Sequence, residues 1–312
     1  DPAKKLIKNS LEINVKDNPE IQIDEELEVG WWDSFVGPNK IIDTNKYFVV
    51  CANYIGGCYG STGPGSKDPA TEESYGYNFP PISFRDIEVS QKLLLDYLGI
   101  ESLHAVIGPS IGGLMALEFC TLYPNFVKKL ISISSGYKLS TIQLLHNLEQ
   151  AYVLDLSKDS EARKEEYLSL ARMIAHKTYI SLELLSKRAK NESLYDDNLI
   201  KGFLDSPQES YMMHQGEKFV ERFTPESYNS IIQGWQNFSM DKKSISNLKN
   251  IKTLVLSVDS DVCFYPEEQI DFVNILKDNK VQTTHHMIQS TKGHDSFLLE
   301  PELFREIIEN FL

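Results

Sequence analysis

The chain has 312 residues, of which 31 are Lys or Arg and 45 are Asp or Glu, so its formal charge at pH 7 is −14. Apolar residues make up 41% and charged residues 24%, which is typical of a folded globular protein and not of a disordered or fibrous one. The acidic balance argues against nucleic acid as a partner, because clustered Lys and Arg must neutralise phosphates, and no apolar run is long enough to predict a membrane span.

The first elements of the chain are irregular. Residues 1–30 are charged and lack a steady pattern, so we predict a loop-like entry segment. The apolar run 47–52 predicts a buried strand, and the Gly-rich stretch 53–64 that follows predicts a loop. Apolar residues then recur at helical spacing over 86–98, and Gly99 suits the position just after the end of a helix.

The rest of the chain alternates between short apolar runs and helical stretches, which is typical of a parallel sheet covered by helices. A polar, helix-rich block interrupts this alternation. We therefore predict a helical lid, residues 137–245, inserted into an α/β core formed by residues 1–136 and 246–312. The predicted strands are 103–107, 130–134, 253–257 and 282–289, and the predicted helices are 111–123, 162–177, 267–276 and 301–311.

The central motif is Gly108-Pro-Ser-Ile-Gly-Gly113, which lies between a predicted strand and a predicted helix. A G-x-S-x-G pattern in that setting is typical of a nucleophile elbow, a tight turn that lifts the serine oxygen clear of the sheet. Ser110 is therefore the predicted nucleophile. The backbone N–H of Ile111, at the start of the helix, is the predicted donor to the negative charge that develops on a carbonyl oxygen.

A serine hydroxyl attacks well only with a base within hydrogen-bond reach. His294 lies in the loop between the last predicted strand and the last predicted helix, where this class of sheet carries its general base. The acid that orients the imidazole should follow the strand 253–257, and Asp259 and Asp261 both meet that condition.

The other histidines and the cysteines give weaker signals. Three histidines fall inside predicted strands, so we expect structural roles for His104, His285 and His286. No histidine pair has helical ligand spacing with a carboxylate, so we expect no metal site. We also expect no bound cofactor. Four cysteines without a Cys-x-x-Cys spacing favour reduced thiols and a cytoplasmic protein. These four are Cys51, Cys58, Cys120 and Cys263.

Short segments along roughly residues 30–312 occur in the order found in one known family. They include Gly30-Trp-Trp-Asp33, Gly56-Gly-Cys58, Gly60-Ser-Thr-Gly-Pro64, Arg85-Asp86, Leu98-Gly-Ile100, Gly112-Gly113, Leu170-Ala-Arg-Met-Ile174, Thr178-Tyr179, Gln215-Gly-Glu217 and Gly293-His-Asp-Ser-Phe-Leu298. Together with the serine motif, they resemble the homoserine O-acyltransferases of the α/β-hydrolase superfamily, the acetyl-type enzymes that begin methionine synthesis. The resemblance implies an α/β-hydrolase fold with a mostly parallel sheet and a helical lid.

The resemblance also implies a reaction in two half-steps. Ser110 would take an acetyl group from acetyl-CoA and pass it to the hydroxyl of L-homoserine, with His294 as base in both halves. The family's acid lies in an Asp-x-Leu-Phe-x-Pro pattern. The segment from Asp261 to Pro266 fits this pattern with Cys263 in the Leu position, which favours Asp261 over Asp259.

Three further residues would hold the amino-acid acceptor. The family uses an Arg and a Tyr seven residues apart and the Asp after the catalytic His, which correspond here to Arg172, Tyr179 and Asp295. A guanidinium suits the substrate carboxylate, and a carboxylate suits its ammonium group. Seven residues make about two helical turns, so we expect Arg172 and Tyr179 on one face of a helix. The family also implies a homodimer formed through the helical lid.

The sequence departs from the family in four places. Pro109 replaces the usual Gly, Ile111 replaces the usual Met, and Ala151 occupies a position that carries an Arg in the family. We expect Pro109 to be tolerated because the residue before the nucleophile is not an oxyanion donor. The family's N-terminal strands and its second oxyanion loop are not recognisable in residues 1–29, so we expect that the chain lacks its N-terminus.

Other functions are compatible with parts of this pattern. A related enzyme would use succinyl-CoA as donor or L-serine as acceptor, since pocket volume alone separates small acyl groups weakly. An esterase or thioesterase would pass the acyl group to water, which needs no clamp such as that of Arg172, Tyr179 and Asp295. A non-catalytic scaffold with this fold is the most distant alternative, and the complete Ser, His and Asp set argues against it.

Overall fold

The computed structural model describes residues 30–188 and 206–312. Its centre is a four-stranded parallel sheet in the order β3-β4-β5-β6, preceded by a short parallel pair, β1 and β2. The strands are β1 (Val36–Gly37), β2 (Ile42–Asp43), β3 (Val106–Pro109), β4 (Lys129–Ile133), β5 (Lys252–Val258) and β6 (Thr283–Ile288).

Helices connect these strands. The described α-helices are α1 (Phe84–Tyr97), α2 (Ile111–Leu122), α3 (Thr141–Leu156), α4 (Lys164–His176), α5 (Leu182–Arg188), α6 (Pro207–Val220), α7 (Pro225–Gln236), α8 (Lys242–Ile245), α9 (Pro266–Asp278), α10 (Ser296–Leu299) and α11 (Pro301–Phe311). Within the described ranges, no helix is both long and apolar enough to cross a bilayer.

The sheet is buried on both faces because successive side chains of a strand point to opposite sides. Leu130 of β4 and Val255 of β5 lie in a core with α1, α2 and α9. Their neighbours Ile131 and Leu254 lie in a second core with α11. This arrangement explains why the central strands read as continuous apolar runs. It also confirms the predicted α/β sheet.

The predicted strand over 47–52 is wrong. No strand forms there, and residues 48–52 make no backbone hydrogen bond to any described residue. Phe48 is 58% exposed, so the run is not buried as predicted. A strand is held by the ladder to its neighbour, and an apolar run without such a ladder does not become one.

The first strand of the sheet starts later than predicted, and this changes the place of His104. Leu103 only touches Val127 through an isolated bridge, and β3 begins at Val106. His104 is exposed, and its Nε2 lies 2.7 Å from the carbonyl oxygen of Leu312, so its predicted place inside a strand is wrong.

The paired histidines of β6 behave as their alternation predicts. His285 is partly buried, with its Nε2 3.0 Å from the hydroxyl of Ser257, whereas His286 is exposed.

Helices α3 to α8 lie between β4 and β5 in the chain, within the block predicted as a lid. Four of them, α3, α4, α6 and α7, share a small apolar core that includes Leu154, Leu168 and Phe219. The predicted helix over 162–177 is present as α4. Residues 189–205 of the block, and the entry segment up to residue 29, lie outside the described residues, so the predictions made for them stay predictions.

Candidate active site

Ser110 sits at the sharp turn from β3 to α2. Its φ of 57° and ψ of −131° place a non-glycine residue in a strained backbone region. Its N–H donates to the carbonyl of Ile133 at 2.9 Å, which ties the turn to the neighbouring strand. The predicted elbow is therefore present in the described fold.

Two glycines of the motif are required by close packing. A Cβ on Gly108 would lie 2.0 Å from the carbonyl oxygen of Gly112, and one on Gly113 would lie 2.5 Å from the Cβ of Ser135. Gly112 itself has room, since its nearest neighbour would be 3.6 Å away, on Pro109. Pro109 closes β3 in register with Ile133, and α2 begins two residues later at Ile111.

Three predicted side chains form one hydrogen-bonded chain. The Nε2 of His294 lies 2.8 Å from the Oγ of Ser110, and its Nδ1 lies 2.8 Å from the Oδ2 of Asp261. His294 and Asp261 are only 2% and 1% exposed. A nucleophile, a base and an orienting carboxylate are thus in contact, which is the geometry required to activate a serine hydroxyl.

The geometry also separates the two candidate acids. Asp261 turns towards His294, and its Oδ1 accepts hydrogen bonds of 2.8 Å from the backbone N–H groups of Cys263 and Phe264. Asp259 instead accepts from the N–H of Ser290 at 2.9 Å. Of the two, only Asp261 contacts the imidazole of His294.

The surroundings of His294 favour its protonated form. Burial acts to lower its pKa, but the charge and hydrogen bond of Asp261 act in the opposite sense, and the net shift is upward. The ring is stacked on Phe264 with centroids 5.6 Å apart, and Phe297 meets it edge-on at 5.3 Å. This packing fixes the ring between its two partners.

The loop of His294 is joined to the segment after α4. The N–H of Asp295 donates to the carbonyl of Tyr179 at 2.8 Å, and that of Ser181 donates to the carbonyl of Lys292 at 3.2 Å. Gly293 has a φ of +78°, and a Cβ there would lie 2.5 Å from the N of Ser181, so this contact requires glycine. The loop that carries His294 is therefore fixed against the segment that carries Tyr179.

Arg172 and Tyr179 meet, but not in the way that helical spacing predicts. Helix α4 ends at His176, and Tyr179 lies in the turn beyond it. The Arg172 guanidinium carbon still lies 4.8 Å from the Tyr179 ring centroid and 4.6 Å from that of Phe219. Among the described residues, Arg172 forms no ion pair.

Asp295 completes this group. Burial raises its pKa, while the charges of His294 and Arg172 act to lower it. The Tyr179 and His294 ring centroids are 6.3 Å apart, so the predicted acceptor clamp adjoins the catalytic residues. A guanidinium that packs on two rings and forms no ion pair with a described carboxylate is a suitable partner for an incoming one.

Several polar groups around this site were not predicted from the sequence. Burial lowers the pKa of His176 to about 4, and the nearby charges of Arg172 and Arg188 add to the effect. The hydroxyl of Tyr228 donates to the Oε1 of Gln150 at 2.6 Å. No local pattern distinguishes such residues from ordinary lid residues.

Other predicted features carry less weight in the structure. Ala151, where the family has an Arg, packs against the lid core. In residues 30–188 and 206–312, no group of three or more His, Cys, Asp or Glu side chains is arranged to hold a metal ion.

Sequence comparisons find relatives of this chain. A family model described as the alpha/beta hydrolase fold matches residues 29–301. The homoserine O-acetyltransferase of Methanosalsum zhilinae is 40% identical over 297 residues, which cover 91% of this chain and 60% of that protein. That of Desulfotalea psychrophila is 35% identical, covering 91% of this chain and 76% of that protein. The chain thus spans about 60% of the length of the first of these relatives.

Solved structures show the same fold. The homoserine O-acetyltransferase of Bacillus anthracis superposes with a TM-score of 0.82 at 24% identity, over 93% of this chain and 82% of that one. Esterase E22 also superposes with a TM-score of 0.82, at 21% identity over 90% of this chain and 82% of that one. Because an acetyltransferase and an esterase match equally well, the fold alone does not separate these two activities.

Proposed function

Since this chain belongs to the α/β hydrolase family and, within it, to the homoserine O-acetyltransferases, we propose that it transfers an acetyl group from acetyl-CoA to the hydroxyl of L-homoserine. The observation that carries the proposal is the contact between two groups of residues. The hydrogen-bonded Ser110, His294 and Asp261 adjoin a guanidinium and a carboxylate, Arg172 and Asp295, which suit the two charged ends of an amino acid.

In the first half-reaction, His294 removes the proton from Ser110 as its Oγ attacks the thioester carbonyl carbon. A C–O bond forms, and the carbonyl oxygen takes on negative charge within reach of the Ile111 N–H. This N–H has no acceptor within its helix because it is the first residue of α2. The C–S bond then breaks, and the protonated His294 gives its proton to the departing thiol.

In the second half-reaction, His294 takes the proton of the acceptor hydroxyl. The hydroxyl oxygen attacks the acyl carbon, the bond to Ser110 breaks, and the proton returns to the serine oxygen. Asp261 holds His294 in the tautomer that both halves need, with its proton on Nδ1. Side chains and backbone of the chain carry every step, so the proposal includes no bound cofactor.

Acceptor choice follows from the charged residues. The Arg172 guanidinium offers parallel donors to a carboxylate, and Asp295 offers an acceptor to an ammonium group. Tyr179 fixes the distance between them, because its ring lies under Arg172 and its carbonyl accepts from the N–H of Asp295. Water needs neither charge, so a simple esterase would leave this arrangement unused. L-serine as acceptor and succinyl-CoA as donor remain competing substrates for the assay.

The test is thiol release from acetyl-CoA with and without L-homoserine, using L-serine and succinyl-CoA in parallel. We expect release to depend on L-homoserine. Arg172→Lys keeps the charge but loses the planar guanidinium, which can donate two parallel hydrogen bonds to a carboxylate. The KM for L-homoserine should therefore rise about tenfold or more. Acylation by p-nitrophenyl acetate should be unchanged in this variant. Thiol release at the same rate with and without an acceptor would identify a thioesterase instead.

We also propose a cytoplasmic homodimer formed through the lid. The free state of all four cysteines supports a reducing compartment. The outward face of α3 supports the interface, since Leu145, Leu148 and Tyr152 are 50%, 58% and 67% exposed. Sedimentation equilibrium should give a dimer for the wild type and a monomer for Leu148→Glu, whereas a wild-type monomer would refute the interface.

A further inference from the structure

The inner face of helix α3 is polar. Its amides Gln143, Asn147 and Gln150 are 5%, 1% and 2% exposed. Leucines such as Leu145 and Leu148 point outward instead. Burying an amide costs free energy unless it is hydrogen-bonded, so each amide of this face needs a partner.

Two of the three amides bond to neighbouring elements. The Nε2 of Gln143 donates to the carbonyl of Cys263 at 2.6 Å, in the loop after β5. The Oε1 of Gln150 accepts from the hydroxyl of Tyr228 at 2.6 Å, on α7. Direct hydrogen bonds therefore hold both ends of this polar face against the rest of the protein.

The middle of the face has no such bond. Neither the Nδ2 nor the Oδ1 of Asn147 is hydrogen-bonded to any residue in the described ranges. The same holds for two other buried atoms, the Nε1 of Trp235 on α7 and the Nδ1 of His146 on α3. Unpaired buried polar groups are costly, so three of them on neighbouring elements need an explanation.

All three side chains line one cavity between α3, α7 and the loop after β5, where Val262 and Cys263 complete the wall. Its volume is about 20 Å³. A bound water molecule needs roughly 10–15 Å³ by this measure, so the cavity has room for about one. Neither an acyl donor nor an amino-acid acceptor fits this space.

The chemistry of the walls also selects a small neutral molecule. No Asp, Glu, Lys or Arg contributes to the described wall, so an ion would not be compensated there. Dry cavities are lined by apolar groups, whereas this one presents the indole donor of Trp235 and the amide of Asn147. Water both donates and accepts, and its usual three hydrogen bonds match the three unpaired side chains.

We propose that this cavity binds one ordered water molecule. The water accepts from the indole N–H of Trp235, pairs with the amide of Asn147 and takes the Nδ1 of His146 as its third partner. It thereby joins α3 to α7 beside the loop that carries the catalytic acid. The ring of Phe264 lies between Trp235 and His294, so the water is a structural ligand and not a reactant.

The first test is a nuclear magnetic resonance measurement of the indole N–H groups in the wild-type protein. The chain has three tryptophans, and loss of one signal in Trp235→Phe assigns the signal of Trp235. We expect that signal to show cross-relaxation with water, with the sign of a long-lived bound molecule. Trp31, which is 60% exposed, should report bulk water, and Trp32, which donates to the carbonyl of Phe297, should report none. A Trp235 signal without bound water would overturn the inference.

The second test is thermal unfolding of Asn147→Leu, which replaces the amide by an apolar group of nearly the same shape. The water then loses a partner, so Tm should fall by a few degrees. A dry cavity predicts the opposite, because removing an unpaired buried amide would leave Tm unchanged or raise it. Glu149→Gln, on the exposed face of α3, is the matched control and should keep the wild-type Tm.

Activity separates water from a substrate group in the same cavity. Folded Asn147→Leu should keep kcat/KM close to wild type for every acyl donor and acceptor, since the bound water does not contact the reacting atoms. A loss confined to one substrate, with Tm unchanged, would place part of that substrate in the cavity and overturn the inference. The proposed function does not depend on either result.

Discussion

Asp261→Asn is the most informative single change in the triad, because the structure dictates how the new amide must lie. In the wild type, Oδ1 of Asp261 accepts from the N–H groups of Cys263 and Phe264, both at 2.8 Å, and Oδ2 faces the Nδ1 of His294 at 2.8 Å. Asparagine keeps the two backbone bonds only if its oxygen stays in the first position. Its NH₂ group then faces His294.

This orientation places the imidazole in the wrong tautomer. The His294 Nδ1 must accept a hydrogen bond, so its proton moves to Nε2, which can no longer accept from Ser110. The opposite amide orientation would leave two buried backbone N–H groups unpaired, at about 1–3 kcal/mol each. We therefore expect kcat to fall about 10⁴-fold, the loss seen for this change in a serine protease triad, or roughly 5 kcal/mol in the barrier.

The assay is the rate of acylation by acetyl-CoA, with circular dichroism to establish that the variant is folded. Asp259→Asn is the matched control, because Asp259 follows the same strand but bonds to the N–H of Ser290. It should retain near wild-type activity. A folded Asp261→Asn with more than about a tenth of wild-type kcat, or an equal loss in the control, would refute the reasoning.

Three further predictions concern the base, the glycines of the elbow and a buried carboxyl group. His294 must be neutral to accept the serine proton, so kcat/KM for acetyl-CoA should rise with pH, with its midpoint at the raised pKa of His294. A midpoint of this pH profile below the pKa of free histidine would contradict the prediction. Gly108→Ala should abolish soluble, active protein and Gly112→Ala should not, because the added Cβ would lie 2.0 Å from a carbonyl oxygen in the first case and 3.6 Å from its nearest neighbour in the second. Glu88 is buried near the charge of Glu118, and burial raises its pKa from 4.5 to about 8. The folded state then holds this proton more tightly than the unfolded state, so stability falls as pH rises towards 8. Glu88→Gln should gain roughly 3 kcal/mol near neutral pH and less under acid, measured by urea unfolding at several pH values.

The nucleophile and base were predictable because their signals are local. When a serine lies between a strand and a helix, and glycines occupy the positions where a Cβ would clash, few turns other than a nucleophile elbow fit the sequence. The position of Gly108 before Ser110 reflects a steric requirement that the structure makes explicit. His294 follows from chain order alone, since the last loop of such a sheet ends at the same edge as the elbow.

The choice between the two acids was not predictable from spacing. Asp259 and Asp261 follow the same strand two residues apart, and only the direction of each side chain separates them. Family resemblance, not residue pattern, favoured the carboxylate that contacts His294. The contact of Arg172 with Tyr179 was predicted for the wrong reason, because a turn beyond α4 brings them together instead of a continuous helix.

The remaining differences come from long-range partners. An apolar run such as 47–52 becomes a strand only beside another strand, and its sequence does not contain that neighbour. Nothing in the sequence indicated that Asn147 is buried, since a polar residue in a polar helix is normally expected on the surface. Its burial depends on which face of α3 turns inward.

The most direct test of the central claim is to trap the acyl group on Ser110. The protein is mixed with acetyl-CoA without acceptor, and its intact mass and peptides are measured before and after addition of L-homoserine. We expect the mass of one acetyl group on the peptide that contains Ser110, absent in Ser110→Ala, and rapid discharge to O-acetylhomoserine when the acceptor is added. An acetyl group on another residue, or discharge that L-homoserine does not accelerate, would contradict the account.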